Sequence, residues 1–84
     1  MRDLDPQLLR LREVEARIAF AETLIRDQEA VIERLARRGH SARLAHELLE
    51  NLHESRGHLV RRREQVLALM QSTETPLPPG YQAL

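Results

Sequence analysis

The chain of 84 residues has no cysteine, no lysine and no tryptophan, one phenylalanine, one tyrosine and only three glycines. Each shortage closes a class of function. Without cysteine there is no disulfide framework, thiolate metal site, thiol nucleophile or Cys-bearing zinc finger. Phe20 and Tyr81 are the only aromatic residues, so no platform can stack successive nucleic-acid bases. No stretch approaches the ~20 consecutive apolar residues that span a bilayer, so no membrane partner is expected. Met1, Arg2, Asp3, Leu4, Asp5 and Pro6 are acidic where a secretion signal would be basic, and no apolar run follows them, which sets a cytoplasmic expectation. Neither sign of charge is in excess: 13 basic residues, all arginine, meet 13 acidic ones for a formal net charge of zero. A generic polyanion binder needs surplus cations for phosphate contacts, so nucleic acid is a disfavoured partner. A chain this short builds at most one small domain, with no room for a deep catalytic pocket. Enzyme activity is not expected.

What is present is helical. The composition, 42% hydrophobic and 31% charged, suits a folded and highly charged helical protein. Asp5 and Pro6 read as N-cap and first helical residue, after a short N-terminal arm at 1–5. From Pro6 to Arg38 no further glycine or proline interrupts the chain. Counting in sevens places Leu4, Leu11, Ile18, Ile25 and Ile32 at heptad position a, with Gln7, Val14, Ala21, Gln28 and Leu35 at d. Glu15, Glu22 and Glu29 against Arg10 and Arg17 form charged margins, the pattern of a coiled-coil seam. The spacing predicts a first helix over 6–38.

Arg37, Arg38, Gly39, His40 and Ser41 break that helix. Arginines suit its negative C-terminal end, Gly39 can take the left-handed conformation past it, and Ser41 reads as the N-cap of the next helix. With the turn confined to 39–41, a second helix over 42–71 must run back antiparallel. Its expected seam is Ala45, Leu52, Leu59 and Val66 at a, with Leu48, Ser55, Arg62 and Leu69 at d. Folding about Gly39 and His40 sets Gln28 opposite Leu52, Ile25 opposite Ser55 and Ile18 opposite Arg62. Gln28, Ser55 and Arg62 are then polar residues inside the seam that fix its register, Arg62 reaching Glu15 or Glu22. Residues 72–84 carry three of the four prolines and read as a flexible, Pro-rich tail. Pro76, Leu77, Pro78 and Pro79 formally make a PxxP sequence, and Tyr81 and Leu84 could dock on a neighbour.

The order Ile25, Gln28, Ile32, Leu35, Gly39, then Ala45, Leu48, Leu49, Leu52, Ser55, His58 and Arg62 resembles short, uncharacterised helical-hairpin proteins of proteobacteria. The resemblance covers roughly Ile18 to Leu67 and is most specific at the Gly39 turn. It implies an all-α hairpin without assigned activity and supplies no catalytic residue.

A two-helix seam leaves too much apolar side chain outside it. Phe20, Leu24 and Val31 on the first helix, and Leu49, Val60 and Leu67 on the second, fall at or beyond its margin, wider than one partner helix covers. These six are the expected oligomer interface, with Phe20 as anchor. A two-fold dimer closing a four-helix bundle is the simplest solution. The expected function is therefore a non-enzymatic protein–protein interaction or assembly module whose partner is a second copy or, failing that, another helical protein. Two other classes compete. Glu50 and His53 have the Glu-x-x-His spacing of ferritin-like di-metal bundles, with His46 one turn before and Glu22, Glu29 or Glu33 as further carboxylates. Helical projection turns that cluster away from the seam, so the expectation is no metal and no cofactor. Arg61, Arg62 and Arg63, and the set Arg34, Arg37, Arg38 and Arg43, could contact a polyanion, but consecutive residues diverge around a helix and make no continuous stripe. His40 and His58 read as turn and surface residues. Gly57 stands mid-helix, where it either admits another chain or is tolerated on the surface.

Overall fold

The computed structural model describes residues 5–72; Leu4 at the head of the seam and the Pro-rich tail lie outside the described residues. Among them the protein is all-helical: α1 spans Pro6–Arg37 and α2 spans Arg43–Gln71. α1 starts where Asp5 leaves extended backbone and its carboxylate accepts the Gln7 N–H at 2.9 Å, satisfying one of the amides a helix start leaves free. Pro6 at the first position loses no hydrogen bond there. At the other end Gly39 N–H donates to the Ala36 carbonyl at 3.0 Å and His40 N–H to the Leu35 carbonyl at 2.9 Å. This double closure is a Schellman motif, and it requires Gly39 at φ +72°, a left-handed conformation that a Cβ would oppose. Arg34 and Arg37 place cations on the last turn, against the helix dipole.

The entry to α2 departs from expectation. Ala42, not Ser41, occupies the N-cap position and offers no side-chain acceptor. Ser41 stands one residue upstream, and its hydroxyl accepts the Arg43 N–H at 3.4 Å, the long end of hydrogen bonding. The glycine motif holds the turn; the serine contributes little.

α1 and α2 pack antiparallel, with Gln28 against Ala45, Glu22 against Arg56, and Gln7 near Leu69. The core consists of Val14, Ile18, Ala21, Ile25 and Val66, four of these five from α1. On α1 the buried and half-buried positions follow the expected heptads. On α2 they do not. Leu48, Ser55, Arg62 and Leu69 are exposed, while Leu49, Arg56, Arg63 and Met70 join Ala45, Leu52 and Leu59 as the half-buried stripe. The expected a row of the second seam, with Val66 buried, thus faces inward, and only its d row is displaced by one residue.

The reason lies in what each stripe offers. Both have alternating three- and four-residue spacing, and both carry two polar residues. Arg56, on the stripe that wins, meets a carboxylate across the seam: its Nε and Nη2 both donate to Glu22 Oε2, at 3.0 and 2.9 Å. The arginine stems of Arg56 and Arg63 also cover apolar surface as an exposed serine cannot. The expected facings of Ser55 and Arg62 lapse with the stripe. Gln28, in the seam as expected, donates its Nε2 hydrogen to the Ala45 carbonyl at 2.9 Å. Arg62 does not reach Glu22, which Arg56 already holds.

Candidate interaction surface

With the inward stripes fixed, a period of about 100° per residue assigns the remaining positions to two broad faces of the hairpin. On α1 the row Arg10, Arg17, Leu24 and Val31 flanks one side of the seam; on α2 the matching row is Leu48, Ser55, Arg62 and Leu69. A shallow groove lined by Gln7, Arg10, Arg62, Gln65 and Leu69 shows that these rows share a side. On the opposite side stand Leu8, Glu15, Glu22 and Glu29 of α1 and His46, His53, Val60 and Leu67 of α2. There a second groove is lined by Glu22, Ile25, Arg26, His53 and Arg56. We call these the first and second faces.

The first face is conspicuously apolar from mid-length to the turn. Phe20 is 64% exposed, Leu44 70% and Leu48 48%, and they surround the half-buried Leu24 and Val31. Of the six residues expected to form one interface, Phe20, Leu24 and Val31 lie here. Val60 and Leu67 lie on the second face, and Leu49 is half-buried in the seam itself. The six do not make one patch. In an antiparallel pair like heptad positions share a side, so Val60 and Leu67 fall opposite Leu24 and Val31 with either α2 stripe, and the turned stripe draws Leu49 from the margin into the seam.

Of the three polar residues assigned to the seam, Gln28 is half-buried and bonded across it, whereas Ser55 and Arg62 are exposed. Arg56 takes the role given to Arg62. The signal for Arg56 in the sequence is its place on the alternative α2 stripe, level with Glu22 when the chain folds about Gly39. Gln7 Oε1 is buried without a hydrogen-bond partner among the described residues.

His46, Glu50 and His53 are all exposed. Of the carboxylates that could have joined them, Glu22 is taken by Arg56 and Glu33 by Arg37 at 3.0 Å. Among the described residues no group of three or more His, Cys, Asp or Glu side chains could hold a metal ion within one hairpin. The arginine clusters are dispersed: Arg61 and Arg62 are exposed on different sides, Arg63 is half-buried, and Arg43 pairs with Glu47 at 3.3 Å. His40 is exposed in the turn, and His58 lies 2.7 Å from Arg61 Nη2. No described helix is long and apolar enough to cross a membrane. No family model, curated protein or solved structure matches the chain, so function rests on these surfaces alone.

Proposed function

We propose that the protein is a non-enzymatic assembly module: a helical hairpin that completes its hydrophobic core against a further copy of itself. Four helices are the smallest bundle this gives. One observation carries the reading. The hairpin buries only five apolar side chains, yet leaves Leu9, Phe20, Leu44, Leu48, Leu67 and Leu69 exposed. A core of two helices at this size rarely supplies more than about 3–5 kcal/mol, and each large aliphatic side chain moved out of water adds about 1.5–3 kcal/mol. Association is therefore the dominant reserve of stability available to the chain. The test is the mass in solution of the full chain across a hundredfold dilution. We expect species heavier than 9.8 kDa at the upper end; a mass that stays at the monomer throughout contradicts the reading.

A further inference from the structure

The two faces of the hairpin are unlike, and the geometry points to a heterologous contact in which the first face of one copy packs on the second face of another turned end for end. This inference rests on the self-association proposed above and adds which surfaces meet. Charge is the first observation. The ion pairs of the described residues use Arg17, Arg37, Arg43 and Arg56 with Glu13, Glu33, Glu47 and Glu22. Exposed and outside those pairs, Arg10, Arg34 and Arg62 lie on the first face, and Glu15, Glu29, Glu50 and Glu64 on the second. Asp27 on the first face and Arg12 and Arg26 at the edge of the second run against this division without reversing either sign. A first-face contact with itself would set arginines against arginines; a second-face contact with itself would set glutamates against glutamates. First on second pairs opposite signs, which favours encounter and fixes register.

Lengthwise order is the second observation. Leu24, Val31, Leu44 and Leu48 lie in the turn half of the first face beside Arg34, and Arg10, Arg62 and Leu69 in its open half. The second face carries its apolar residues at the other end: Leu8, Val60 and Leu67 share the open half with Glu15 and Glu64, and Glu29 and Glu50 stand in the turn half. An end-for-end arrangement sets the more apolar half of each face on that of the other and keeps arginine opposite glutamate along both halves. In it Phe20, mid-length on one face, comes level with Gly57, mid-length on the other. Gly57 has no internal reason to lack a side chain, since a Cβ there would meet only the Arg61 guanidinium, at 3.6 Å. It gives the ring of Phe20 a place to enter. Such a contact leaves one face of each kind free at the ends, so growth continues past two copies.

Charge reversal in the full chain tests this. Arg10→Glu with Arg62→Glu, and separately Glu29→Arg with Glu50→Arg, should each weaken self-association at least about tenfold, while an equimolar mixture of the two restores it. The altered residues are exposed and unpaired, and helical content by circular dichroism checks that the hairpin persists. Gly57→Leu, which improves helix propensity, should also abolish association with helicity intact. A discrete dimer indifferent to the glutamate reversals, or a mixture that does not recover, overturns the heterologous contact and leaves self-association standing. A native chain that is monomeric throughout overturns both.

Discussion

α1 and α2 are nearly equal in length, 32 and 29 residues, but they enter the core on different terms. α1 buries Val14, Ile18, Ala21 and Ile25, while α2 buries Val66 alone and otherwise lines the seam with half-buried residues such as Leu49, Leu52, Leu59 and the stems of Arg56 and Arg63. One helix is specified by shape, the other largely by a cross-seam ion pair and by arginine stems. The contrast teaches where the hairpin's stability resides and why its second helix is the ambiguous one.

Removing bulk from α1 should show the largest effect. Ile25→Ala, at a site 7% exposed, is expected to lower the unfolding free energy by about 2–4 kcal/mol in urea titration. Leu9→Ala on the same helix, 47% exposed on its outer side, should stay within about 0.5 kcal/mol. If the two changes cost the same, the burial contrast is wrong. Next in size is the turn that joins the helices: Gly39→Ala forces a Cβ into φ +72° and should cost about 1–2 kcal/mol in the same titration.

The α2 seam is tested by coupling. A double-mutant cycle between Glu22→Gln and Arg56→Met should give about 0.5–1 kcal/mol, kept small because both side chains are about 40% exposed. The cycle between Glu22→Gln and Arg62→Met should give essentially none. The reverse ranking would restore the stripe through Arg62. Smallest is Gln7→Leu, which removes a buried acceptor that has no partner among the described residues. A gain of about 1 kcal/mol is expected, read as a rise in melting temperature, and a loss would mean that the acceptor has a partner.

The same contrast explains how much could be read in advance. In α1 every a position, Leu11, Ile18, Ile25 and Ile32, is a large aliphatic, so its inward side follows from the heptad count. The Gly39 turn is legible because a left-handed residue after Arg38 must be glycine for the chain to fold back cheaply. In α2 two stripes share Ala45, Leu52, Leu59 and Val66 and differ by leucines and arginines of similar reach. Spacing cannot choose between Leu48 with Leu69 and Leu49 with Met70; the choice depends on which arginine finds Glu22, a contact between residues distant in the chain. The interface divides for a different reason: the antiparallel fold sets Val60 and Leu67 on the side away from Leu24 and Val31 whichever α2 stripe faces inward, and only Leu49 moves with the stripe. Ser41 fell short for a local reason, as α2 starts one residue later than its cap pattern implies.

The protein's reliance on its own copies is tested most directly by the melting temperature of the full chain as a function of its concentration. Anything that binds only the folded state raises apparent stability by mass action, and a second copy is such a ligand. Over micromolar to millimolar concentrations the midpoint should rise steadily, with helicity lost on dilution. A cooperative melt whose midpoint is the same at every concentration would show a hairpin sufficient in itself.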